Sequence, residues 1–144
     1  MLIGRSIALV ARILALFLPV AALAGPLGVF NDHGDIGQPK LEGQATWYAA
    51  SQEYVLTAGG VNMWEERDEF HMAWRKLEGD FILQAQVEFI GKGVDPHRKA
   101  GLIVRSSLED DSPYVDGALH AGHGLTSLQF RRSRGALTEQ LEAA

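Results

Sequence analysis

The stretch that most constrains this chain is Asp80–Phe89, read D-F-I-L-Q-A-Q-V-E-F. Phe81, Leu83, Ala85, Val87 and Phe89 alternate with Gln84, Gln86 and Glu88, and only Ile82 breaks the pattern. A period of two puts the apolar set on one side of a pleated strand and the polar set on the other. Gly79-Asp80 and Gly91-Lys92-Gly93 punctuate its ends as turns. The pattern predicts a half-buried strand with Phe81, Leu83, Val87 and Phe89 in the interior. Such a strand needs a second layer over its apolar face, which the rest of the chain must supply.

Shorter runs repeat the theme. Gln44–Ala49 and Glu53–Ala58 are rich in Trp, Tyr, Val and Thr around Ala50-Ser51-Gln52, which reads as a hairpin. Glu69–Leu77 fits either element, but its closeness to Asp80 favours a strand in a hairpin with the long one. Lys99–Ser106 carries Ala100, Leu102 and Val104 on one face, and Leu125–Arg131 alternates Thr126, Leu128 and Phe130. Tyr114–Ala121 is strand-like despite Gly117. From Gly135 to Ala144, A-L-T-E-Q-L-E-A-A is the only helical stretch expected after the leader. Seven or eight short strands without helical crossovers predict an antiparallel all-β chain, a sandwich or barrel.

The first residues belong to no fold. Arg5 and Arg12, the apolar run Ile13–Val20 and the small-x-small site Ala22-Leu23-Ala24 have the layout of a secretory signal peptide. The expected division is a leader over 1–24 and one β-domain over 25–144. Arg12 and Pro19 leave the apolar run short of the ~20 residues a membrane span requires. Without cysteine, no disulfide can staple the domain. The net charge is −5, and −7 once Arg5 and Arg12 are removed with the leader. Acidity without a basic stripe excludes nucleic acid as a natural partner.

Several segments in order carry a family resemblance: G-G-V-N-M-W-E-E-R-D-E-F-H-M-A-W, G-D-F-I-L-Q-A-Q-V-E-F, D-P-H-R-K-A-G-L-I-V-R-S-S and H-G-L-T-S-L-Q-F-R. Together they resemble the jelly-roll domain of TolB-like periplasmic biopolymer transporters, and more widely the concanavalin A-like lectin/glucanase sandwiches. The resemblance spans about residues 30 to 134. It implies a periplasmic or secreted jelly roll that lacks its last strands and its propeller at the C-terminus. It also implies a polysaccharide or another cell-envelope protein as partner. His120-Ala121-Gly122-His123-Gly124 departs from the tighter acidic turn of that group.

Three kinds of chemistry are written into the polar residues. Glu65, Glu66, Asp68 and Glu69 form a carboxylate cluster, and glycoside hydrolysis uses two carboxyl groups ~5–10 Å apart. On a strand Glu66 and Asp68 would share a face, but Phe70 or His71 stands where the glucanase series has its third acid. A solvated turn is the plainer reading. Asp95 with His97, Glu109-Asp110-Asp111, and Asp116 with His120 and His123 are oxygen and imidazole donors. Calcium is the cation such carboxylate loops take, though their spacing matches no calcium loop, so no cofactor is expected. Among the aromatics Trp47, Tyr48, Tyr54, Trp64, Trp74 and Tyr114, Trp74 reads as core and Trp64 as a surface platform for a sugar ring. There is no nucleophile elbow and no phosphate cradle. The expected function is a non-catalytic, extracytoplasmic binding module for carbohydrate, with a glycosidase-like enzyme or a protein-docking domain as alternatives. Its ligand surface is expected at Trp64, Arg67, Asp68, His97, Arg105, His120 and Gln129.

Overall fold

The computed structural model describes residues 26–93, 95–122 and 124–142. The leader expected over residues 1–24, and His123, lie outside them. Eight strands are present: β1 (Asp32–Ile36), β2 (Gln44–Tyr48), β3 (Glu53–Thr57), β4 (Phe70–Trp74), β5 (Lys99–Arg105), β6 (Tyr114–His120), β7 (Thr126–Arg131) and β8 (Glu139–Glu142). Every pairing is antiparallel, and the described residues contain no helix. The all-β class follows from the alternation.

The strands form three sheets: β1-β4, β2-β3 and the four-stranded β5-β6-β7-β8. These pairings do not include a jelly-roll crossing of strands. The β2-β3 hairpin forms as expected, with Trp47 opposite Tyr54 and their rings 4.3 Å apart. β4 forms but pairs with β1, not with residues 80–89. The C-terminal segment is strand β8 rather than a helix. Leu141 lies opposite Leu128 and Gln140 opposite Gln129, so pairing along β7 overrides a local propensity worth only tenths of a kcal/mol per residue.

The larger departure concerns Asp80–Phe89, which pairs with no strand among the described residues. Phe81 is 45 % exposed, Ile82 96 % and Leu83 42 %, while Val87 and Phe89 are half-buried. Its C-terminal end is tied: Phe89 lies under the Arg98 guanidinium at 4.9 Å, and Arg98 donates to the carbonyls of Ile90 and Gly91. Alternation states which side chains share a face. It does not supply the strand that must lie alongside.

The four-stranded sheet has a polar and an apolar face, and the polar one is covered. Register places Lys99, Ile103 and Arg105 on the same side as His120, Ala118, Asp116 and Tyr114, then Ser127, Gln129 and Arg131, then Gln140. The β6 and β7 members of this inner face are all buried. Ala100, Leu102 and Val104, which alternation marks as one apolar face, point the other way with Val115, Leu128, Phe130 and Leu141. Val104, Val115, Leu128 and Leu141 are all exposed. Among the described residues the buried members of this sheet are Tyr114 and Ala118 against Asp116, His120, Ser127, Gln129 and Arg131, so its inner face is held by polar contacts more than by oil.

These placements give a direct check. The amides of residues 81–89 should exchange with solvent orders of magnitude faster than those of β6 and β7. Val104→Thr should cost less than about 1 kcal/mol, against the ~2–5 typical of trimming a covered apolar side chain. Slow exchange across 81–89 would contradict the pairing described.

Candidate functional site

The inner face of the sheet divides into a closed half and an open half. The closed half is built on Asp68, which is wholly buried. Its Oδ2 accepts hydrogen bonds from Arg131 Nη1 at 2.9 Å and Arg105 Nη1 at 3.1 Å. Arg131 Nη2 sits 2.8 Å from Oδ1 as an ion contact, but its angle is too oblique for a hydrogen bond. Burial pushes the Asp68 carboxyl upward, against the pull of Arg131 and then Arg105. Burial likewise lowers Arg105, opposed chiefly by Asp68.

The guanidiniums do more than neutralise. Arg131 also donates from Nε to the Ala136 carbonyl at 2.7 Å and from Nη2 to the Glu65 carbonyl at 2.5 Å. Arg105 donates to the carbonyls of Ser107 and Glu109 and lies over the Phe70 ring. The hydroxyls of Tyr114 and Thr138 both donate to the Met63 carbonyl, at 3.0 and 2.6 Å, and Thr138 N–H donates to that of Trp64. Residues 63–68 are thereby fastened at four points, Met63, Trp64, Glu65 and Asp68. This arrangement holds Trp64 beside the open half.

The open half is a cleft of about 240 Å³ lined by Asn62, Trp64, His97, Lys99, His120, Leu125 and Gln140. Lys99 and His120 face each other across β5 and β6. The Lys99 ammonium lies 5.8 Å from the Trp64 ring centre and 3.4 Å from Asn62 Oδ1. Burial lowers its pKa, opposed by the attraction of Asp116 and Asp95. His120 Nδ1 is 3.1 Å from the Leu125 carbonyl. A carbonyl only accepts, so Nδ1–H is the donor of this contact and Nε2 is left free of it. Gln129 and Asp116 continue the face inward, opposite each other in register. Burial pushes the Asp116 carboxyl up to about 6, opposed by Lys99. The cleft thus offers an aromatic face, a cation, imidazole nitrogens and side-chain amides, the donor set of a polar small-molecule site.

Of the seven expected ligand residues, Trp64, His97 and His120 meet at this cleft. Gln129 is buried deeper, bonded to Ser127 Oγ and Gln140 Oε1. Asp68 and Arg105 are occupied by their ion pair. Arg67 is exposed and pairs with Asp110 at 3.2 Å, away from the cleft. Glu66 and Asp68 share no strand face, because no strand forms there. Trp74 is half-buried rather than core. Sequence reasoning missed Asn62, Lys99 and Gln140. Lys99 had a signal: it stands out of phase with Ala100, Leu102 and Val104, so it belongs to the opposite face.

A second cluster was not anticipated. Asp35 Oδ1 accepts from His71 Nδ1 at 2.7 Å, and His71 Nε2 lies 3.0 Å from His33 Nδ1. The His71 hydrogen bond holds the Asp35 carboxyl below the usual range, against burial. Gly43 packs on His71 so closely that a Cβ would overlap the imidazole, and its N–H donates to Asp35. The chain of three ties β1 to β4 and to the start of β2. Among the described residues no three His, Asp or Glu side chains converge to hold a metal. No helix among them is long and apolar enough to cross a membrane. No family model matches the chain, and no curated protein or solved structure matches it either.

Two outcomes follow from these charges. Asp68→Ala should lower stability to urea by about 3–5 kcal/mol by stranding two buried guanidiniums, whereas Arg67→Ala should cost less than about 1 kcal/mol. The fold prefers Asp116 protonated, so its contribution to stability grows as pH falls from above about 6 to below 3.8. The gain of wild type over Asp116→Asn should be about 2 kcal/mol, read from denaturation at pH 7 and pH 4. Parallel curves for the two proteins would refute this burial effect.

Proposed function

We propose that this chain is a non-catalytic, extracytoplasmic binding module that takes a saccharide in the cleft beside Trp64. The observation that carries the reading is the union, on one covered polar face, of an indole ring and convergent hydrogen-bonding groups. A sugar's C–H face packs on an aromatic ring, while its hydroxyls need donors and acceptors around the rim. Trp64 supplies the first, and Asn62, His120 Nε2 and Lys99 the second. The resemblance to concanavalin A-like sandwiches and the layout of the first 24 residues support the same reading, with the periplasm or the cell exterior as its place.

Asp68 lies between two guanidiniums and forms no open pair with Glu66. That weighs against glycoside hydrolysis by the carboxylates at 65–69. The exposed apolar face of β5-β6-β7-β8 favours a second reading, docking to another envelope protein on the side opposite the cleft.

Calorimetric titration with an oligosaccharide panel tests the leading reading. At least one oligosaccharide should bind, and Trp64→Ala should weaken it by about tenfold or more, ~1.4 kcal/mol. Binding by no member of the panel, or binding indifferent to Trp64, would overturn it.

A further inference from the structure

Lys99 carries an inference about which saccharide the cleft takes. Its side chain rises from β5 into the cleft, half-buried, between the Trp64 ring and Asn62. Among the described residues no carboxylate lies within 4.0 Å of its ammonium. Elsewhere on this face the buried cations are matched: Arg105 and Arg131 close on Asp68. Asp116 and Asp95 attract Lys99 from beyond that distance and offset its burial only in part, and an anion delivered by a ligand at contact distance completes the compensation.

The other polar groups of the cleft supply no anion to it. Asn62 Oδ1 is already turned to Lys99 and to the Met63 N–H. Gln140 donates to Glu142, and its Oε1 faces Gln129. His120 is committed through Nδ1 to Leu125. Among the described residues lining the cleft Lys99 is the only lysine or arginine, and a ligand lying on Trp64 would bring its ring substituents beside it.

We propose that the cleft selects acidic saccharides, with a uronate carboxylate of the bound sugar paired to Lys99 while its ring lies on Trp64. This rests on the saccharide reading above and narrows it. The chain as a whole is negative, −5, so general attraction to a polyanion would not produce the selectivity. It has to come from the local charge.

The test compares a galacturonate hexasaccharide with the neutral maltohexaose at 0.15 M salt, by calorimetry, on the full chain and on Lys99→Met, Lys99→Arg and Trp64→Ala. The acidic sugar should bind about tenfold or more tightly than the neutral one, as one desolvated charge pair provides. Lys99→Met should abolish that ratio, and Lys99→Arg should keep it. Equal affinity for the two sugars, or a preference untouched by Lys99→Met, overturns the inference and leaves the saccharide reading standing. Binding of neither sugar, with the Trp64 cleft silent to the wider panel, overturns both. The far-ultraviolet dichroism of each variant, unchanged from wild type, shows that a lost ratio reflects the lost charge.

Discussion

The buried carboxylate of Asp68, shared by Arg131 and Arg105, is the contact on which the rest of this architecture depends. It sits in a loop, not on a strand, and its two cations come from β5 and β7 on either side of β6. Removing either partner leaves a buried charge unmatched. The pair therefore acts less as a source of net stability than as a lock on where the 62–69 loop must lie. The same guanidinium of Arg131 reaches the Glu65 carbonyl, and the hydroxyls of Tyr114 and Thr138 reach Met63. Trp64 lies between those two fixed points, so the geometry of the cleft is set by groups that never touch its contents.

This arrangement inverts the usual economy of an antiparallel sheet. Such a sheet commonly buries its apolar face and gives its polar face to water. Here the polar face of β5-β6-β7-β8 is under the loop, and Val104, Val115, Leu128 and Leu141 look outward. Polar burial is tolerated because the charges and hydroxyls of the closed half are almost all partnered. Asp116 marks the edge of that tolerance: it is buried beside the open half, and its carboxyl is shifted toward the neutral form.

How much of this was legible in the sequence differs from residue to residue. β2, β3, β5 and β7 announce themselves by alternation and turn chemistry. β8 does not, because L-T-E-Q-L-E favours a helix locally and becomes a strand only through β7. The clearest alternation of all, at 80–89, pairs with nothing among the described residues, since a period of two encodes two faces and not a neighbour. The same limit explains the inner face. Alternation separates Lys99 from Ala100, but cannot say which side a loop thirty residues earlier will cover. Trp64, His97 and His120 were readable as polar or aromatic loop and strand-end residues. The roles of Asp68 and Arg105 were not, because their meeting depends on Arg131, which lies 63 residues from Asp68. Asp35, His71 and His33 were hidden for a like reason, being brought together only by the β1-β4 register.

The central claim is that the buried ion cluster positions Trp64 over the open half of the polar face. The most direct measurement is fluorine NMR of the chain labelled with 5-fluorotryptophan, comparing wild type with Arg131→Lys. Lysine keeps the charge but loses the fork that spans Asp68 and the Glu65 carbonyl. The account predicts that the Trp64 resonance moves toward its solvent-exposed position while that of Trp47, in the separate β2-β3 hairpin, stays in place. A Trp64 resonance unchanged by Arg131→Lys would contradict it.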